Sequence, residues 1–140
     1  MKFVTYILIV SIALSLSCGK RDHTVLNNQV ILISNDVIGK WSISSFTDSG
    51  IDKTNQVSML TLQFNSDGAF LILSADSIIS GGWLILPDIS IDQLQMTVSS
   101  SKLPYSIFDR HWYAIEKTNT SLGLSDVSIT ANTVLRLARI

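Results

Sequence analysis

One thiol, two imidazoles and a scatter of carboxylates are what this chain offers for chemistry. Cys18 is the only cysteine among 140 residues, which excludes an internal disulfide and any multi-thiolate zinc site. His23 lies near the N-terminus, and His111 stands alone in the body of the chain, directly before Trp112. A histidine metal site therefore has no pair to build on, and neither a metal nor another cofactor is expected. Asp88 and Asp92 could face one another across a bend, while Asp109 and Glu116 flank the Trp112 segment. Paired carboxylates perform acid–base work when burial drives their pKa values apart; nothing around these four calls for burial, and acids at turns are normally solvated or capping. A Gly-x-Ser-x-Gly elbow, a Walker loop and a dinucleotide-type glycine run are all absent. No catalytic residue is assigned, and the chain does not read as an enzyme. With 10 Lys+Arg against 11 Asp+Glu it has no basic footprint for nucleic acid, and at 46% hydrophobic residues it is too apolar to stay disordered.

The element that positions Cys18 is an apolar run. Lys2 supplies a positive start, and residues 3–16 (FVTYILIVSIALSL) follow almost without a polar break. As a helix this run would span ~21 Å, against a hydrocarbon core of ~30 Å, so it has the layout of a secretory signal peptide rather than a permanent span. The sequence SLSCGK over 15–20 resembles the lipobox of bacterial lipoproteins, with Ser15 where that box usually carries leucine, and leucines at 14 and 16 instead. The resemblance implies that the Cys18 thiol is diacylated, the peptide cut before it and the new amine acylated. Several acyl chains, at ~0.8 kcal/mol per buried CH₂, anchor stably where one does not. The chain then divides into a signal peptide (1–17), a lipidated, flexible tether (18–35) and a domain (36–140). The location implied is the cell envelope, by way of the outer membrane, with the membrane face left open by Lys20-Arg21-Asp22. An ordinary secretory signal cut elsewhere is the alternative.

Beyond Asp36 the sequence reads as short strands between turn signals. Trp41 and Ile43 share one face of residues 40–47, and Leu60, Leu62 and Phe64 alternate with Thr61 and Gln63, the period of a half-buried strand. Asn65-Ser66-Asp67-Gly68 predicts a tight hairpin with Gly68 at positive φ. Ser80-Gly81-Gly82 reads as a second turn. Ile89, Ile91, Leu94, Met96 and Val98 read as one strand with a bulge near residue 92, and the apolar loop 99–109 as a lid or single helical turn. Residues 112–117, 121–127 and 133–139 complete about eight strands, with no amphipathic helix in the domain. An all-β, small antiparallel up-and-down barrel best removes so many edges; a two-sheet sandwich is the alternative.

The order of landmarks over 38–140 resembles the lipocalin-like domains of Gram-negative lipoproteins. Gly39-Lys40-Trp41 resembles their Gly-x-Trp strand start, Phe64–Gly68 their F-x-x-D-G hairpin, and Gly81-Gly82-Trp83 a second Gly-x-Trp. Trp112 follows the long loop, and a leucine-rich strand closes the chain. The resemblance implies structural roles for Gly39, Trp41, Gly68, Trp83 and Arg139, with Arg139 or Arg136 stacking on Trp41 where the barrel closes. Barrels of this size hold one small ligand or are filled by their own side chains, so the expectation is a non-enzymatic module taking a small apolar or amphipathic ligand, with an entrance near Trp112, Tyr105 and Phe108. The alternative is a barrel filled by its own side chains that binds an envelope protein.

Overall fold

The computed structural model describes residues 30–128 and 130–140; the apolar run, Cys18 and the rest of the chain before residue 30 lie outside the described residues. Single-turn helix α1 (Ser34–Val37) leads into strand β1 (Gly39–Asp48). A two-residue strand, β2 (Ile51–Asp52), and a second helical turn, α2 (Thr54–Val57), precede β3 (Thr61–Phe64), β4 (Ala69–Leu73), β5 (Ile78–Leu86) and β6 (Gln93–Val98). A 3₁₀ turn (Tyr105–Phe108) is followed by β7 (Arg110–Lys117), β8 (Ser121–Asp126) and β9 (Val134–Arg139). Apart from β2, which pairs only with the end of β1, each strand pairs antiparallel with the next, and β9 returns to β1. The sheet therefore closes as an eight-stranded up-and-down barrel, not a sandwich. No helix among the described residues is long and apolar enough to cross a membrane.

The strand period places the core. Leu62 and Phe64, Phe70 and Ile72, Leu94 and Met96, Leu122 and Leu124, Leu135 and Leu137 point inward in pairs two residues apart. On β1 the pairing slips between Ile43 and Ser45, so that Ile43 and Phe46 both face the interior. A second slip between Ala114 and Glu116 resets β7. An extra residue bends a strand and tightens its twist, which a barrel this small needs to close.

Two local readings of the sequence are corrected by the fold. Gly81 and Gly82 do not turn the chain; they lie inside β5, where Gly81 pairs with Val98 and a Cβ on it would sit 1.9 Å from the Thr97 carbonyl oxygen. The turn is earlier, at 74–77, built by Ser74 and Ser77 bonding to one another. Ile89 and Ile91 are not strand residues: β6 begins at Gln93, and the 87–92 turn is organised by Asp88, which accepts from the Ser90 amide and from Gln93 Nε2. Loop 99–109 packs down as the 3₁₀ turn, with Phe108 buried. Nothing in the sequence reading anticipated α2, which buries Val57.

The up-and-down path gives the barrel two distinct ends. Residues 30–38 and the turns 65–68, 87–92 and 118–120 lie at the proximal end, where the chain arrives from its N-terminus. The hairpin 49–50, α2 and the loops 74–77, 99–109 and 127–133 lie at the distal end.

Candidate functional site

At the proximal end the inner face of β1 carries Trp41, fully buried, whose indole Nε1 donates to the Val37 carbonyl at 2.7 Å. The Arg139 guanidinium lies 4.3 Å from the centre of the Trp41 ring. Its three nitrogens donate to the carbonyls of Ile38 and Asp36, each at 2.9 Å, and of Asn119 at 3.1 Å. Gly39, at φ +132°, leaves room for this fork, since a Cβ there would meet Arg139 Nη1 at 2.9 Å. Gly68, at φ +86°, closes the β3–β4 hairpin, and Trp83 is tied to that turn by a bond from its Nε1 to the Asn65 carbonyl at 2.9 Å. This end is sealed by backbone carbonyls, a cation and two indoles.

The distal end is built differently. Stepping two residues outward from the core along four strands leads from Phe46 to Asp48, from Trp112 to Arg110, from Leu124 to Asp126 and from Leu135 to Thr133. These four polar residues lie on the inner face and form a connected layer across the barrel mouth. Arg110 Nη1 bonds Asp126 at 3.0 Å and Thr133 Oγ1 at 3.4 Å, and lies 3.8 Å from Asp48. Thr133 Oγ1 also bonds Asp48 at 3.0 Å, and Lys53 reaches Asp48 from outside at 2.6 Å. Two cations face two carboxylates, so the layer is neutral. Strand parity carries the signal for it, since all four residues lie in phase with apolar inner-face positions.

Beneath this layer lies Trp112, with none of its surface exposed. Its Nε1 is the one buried side-chain polar atom among the described residues with no hydrogen-bond partner. A buried donor left unmade costs about 1–3 kcal/mol, so this atom stands out in a protein whose other two indoles are both bonded. Of the other mouth residues expected from the sequence, Phe108 is fully buried and Tyr105 is half-buried, its hydroxyl 3.1 Å from Ser77 Oγ. The 3₁₀ turn is tied to the β4–β5 turn by a Tyr–Ser hydrogen bond and to the core by Phe108.

The acids and the imidazole singled out from the sequence are placed as follows. His111 points away from the core and meets Gln93 Oε1 at 3.2 Å; Asp88 caps its own turn, and Glu116 pairs with Arg136 at 2.8 Å on the surface. No group of three potential metal ligands exists among the described residues.

The polar layer leaves a pH signature. The hydrogen bond from Lys53 holds the Asp48 carboxyl below its ordinary value of 3.8; burial opposes this, and the Thr133 hydroxyl and the Lys53 and Arg110 charges reinforce it. A carboxyl depressed in the fold contributes stability that is present above its unfolded value and is lost as pH falls through the folded value. Asp48→Asn is therefore expected to lower the unfolding free energy from urea titration near neutral pH by about 1 kcal/mol or less, as for a partly exposed pair. It should also flatten the acid limb of the stability curve below about pH 4. An acid limb identical to that of the parent chain would show that Asp48 does not contribute to it.

No family model matches the chain, and no curated protein matches it. Two solved structures do. One is a DUF4847 family protein from Bacteroides vulgatus, 14% identical, with a TM-score of 0.54 over 74% of this chain and 93% of that one. The other is a lipocalin-like protein from Bacteroides uniformis, 16% identical, with a TM-score of 0.55 over 75% of this chain and 99% of that one. At these identities the likeness is one of fold: the barrel is lipocalin-like.

Proposed function

We propose that this chain is a membrane-anchored, non-enzymatic lipocalin-like module that binds a small apolar or amphipathic molecule at its distal end, beside the 105–108 turn. The observation that carries this reading is the unpartnered Trp112 Nε1, a buried donor awaiting an acceptor. A ligand with a carbonyl, ether or similar acceptor on an apolar body would satisfy that donor. Its entry would be beside the 3₁₀ turn that the Tyr105–Ser77 bond holds. Barrels of this size hold one small ligand or are filled by side chains, and aromatic groups such as Trp112, Tyr105 and Phe108 would suit apolar cargo with one orienting polar contact.

One observation favours a second reading. A side chain facing a water-sized void would keep exposed area on that side, yet Trp112, Phe46, Phe70, Phe108, Leu94, Leu124 and Leu135 retain 0–1%. The interior is full. A barrel that stays full would act through its surface, as a scaffold for an envelope protein.

Native mass spectrometry with lipid extraction, on the protein purified from its envelope, separates the two. The ligand reading predicts a reproducible co-purifying molecule. Trp112→Phe, which keeps an aromatic ring but removes the donor, should weaken its rebinding about tenfold, the worth of one hydrogen bond near 1.5 kcal/mol. Stability should change little in that variant, because the loss of a buried unsatisfied donor offsets the lost volume. A bare protein mass, with no fluorescence response to a panel of lipids, would favour the filled scaffold.

A further inference from the structure

We infer that the proximal end of the barrel is a lipid-docking surface, which seats the domain directly on the membrane that holds its anchor. The inference rests on the anchored reading and adds an orientation to it. Four isoleucines project from this one end: Ile31 and Ile33 beside α1, Ile89 at the tip of the 87–92 turn, and Ile140 at the C-terminus, exposed by 68, 55, 107 and 72%. Their neighbours are fixed. Leu32, between the first two, is buried; the Ile31 carbonyl accepts from Lys117 Nζ at 3.0 Å, the Ile33 amide donates to Asp36 at 2.9 Å, and the Ile140 amide donates to the Lys40 carbonyl at 3.0 Å. Three of the four tips, Ile31, Ile33 and Ile140, are therefore held by bonds to their own backbone, and Ile89 stands at the tip of a turn.

Chain length selects the occupant. Cys18 precedes Val30 by twelve residues, which reach at most about 43 Å even when fully extended. The chain joins the barrel at the proximal end, so the four isoleucines are the apolar surface closest to the acyl chains in any relaxed arrangement. At that range the second contact is intramolecular and gains effective concentration. The distal end also exposes apolar tips, at Ile51, Met59, Ile78 and Leu103. Bringing those to the same membrane requires doubling the tether back along a barrel whose ten-residue β1 is about 33 Å long. Charge at the proximal end is mixed: Asp36 is paired with Lys117 at 2.8 Å and the Arg139 guanidinium is committed to three carbonyls, but Asp67 and Asp88 stand exposed in the 65–68 and 87–92 turns, so the apolar tips and not charge carry the approach. Lys20 and Arg21, just after Cys18, would lie among anionic headgroups.

The test uses the full, acylated chain in vesicles of phosphatidylethanolamine and phosphatidylglycerol carrying a quencher on the acyl chains. Because the natural cysteine is consumed by the anchor, an environment-sensitive fluorophore can be placed by Ile89→Cys at the proximal end or by Ile78→Cys at the distal end. Docking predicts blue-shifted emission at position 89 and loss of most of it to the quencher, with no change at position 78. In an Ile31→Asp/Ile33→Asp background, whose substitutions touch only exposed side chains, the probe at 89 should recover its aqueous spectrum. Equal water exposure of the two probes on an acylated protein would overturn the docking surface and leave the anchor standing. Quenching at 78 instead would reverse the orientation. A mass showing no acyl group on Cys18 would remove the anchored reading and this inference with it.

Discussion

Gly81→Ala is expected to destabilise the domain by about 3 kcal/mol or more, the upper range for overpacking, although it adds a single methyl to a residue with ordinary backbone angles. The added carbon would lie 1.9 Å from the Thr97 oxygen, 2.9 Å from its carbonyl carbon and 3.1 Å from Val98 Cα, all backbone atoms of the paired strand. A flexible side chain could move aside; β6 cannot move without breaking its pairing to β5, which runs from Gly81↔Val98 to Leu86↔Gln93. At ~4–8 °C per kcal/mol for a domain near this size, the melting temperature should fall by at least ten degrees or so. Gly82→Ala is the internal control. Its Cβ would meet Thr97 Oγ1, the tip of a side chain, at 3.2 Å, and its cost should be clearly smaller. Equal losses at both positions would mean that strand flexibility at a glycine, and not the close approach at 81, sets the effect.

Trp41→Ala should cost about 3–5 kcal/mol, the range for large aromatic truncations in cores. Three losses coincide there: the packing of a fully buried indole, the bond to the Val37 carbonyl and the platform under Arg139. Milder variants separate these. In a double-mutant cycle of Trp41→Leu with Arg139→Met, which removes the cation, the coupling should be about 0.5–2 kcal/mol, as for a partly desolvated cation over an indole. Arg139→Lys alone should also destabilise, because one ammonium cannot serve the carbonyls of Asp36, Ile38 and Asn119 in the geometry of the fork. A cycle that closes to zero would show that Arg139 acts through its three hydrogen bonds alone.

These two positions also mark how far the sequence could be read. The Trp41 end is legible through the family resemblance, whose Gly-x-Trp strand start implies Arg139 or Arg136 stacked on the indole; in the fold it is Arg139. The Gly81 position is not. Glycine beside glycine reads as a turn when only neighbours along the chain are considered, and what makes Gly81 necessary is the Thr97 backbone on the adjoining strand. Ile89 and Ile91 misled for a related reason: apolar character suggested a strand, while Asp88 bonding Ser90 and Gln93 committed the segment to a turn.

The sequence by itself determined the strand parity, the Gly68 turn, the apolar inner face and hence the all-β class, because side-chain alternation and positive-φ turns are properties of a few consecutive residues. Tertiary structure alone decided the rest. Barrel closure pairs β1 with β9 across most of the chain, which brings Asp48 to Thr133 and Arg110 and makes the polar mouth. It also decided that Trp112, readable as a mouth aromatic, is enclosed with its indole N–H unbonded. Hydrogen-bond satisfaction depends on what the other strands present at that depth, and no run of neighbouring residues carries that information.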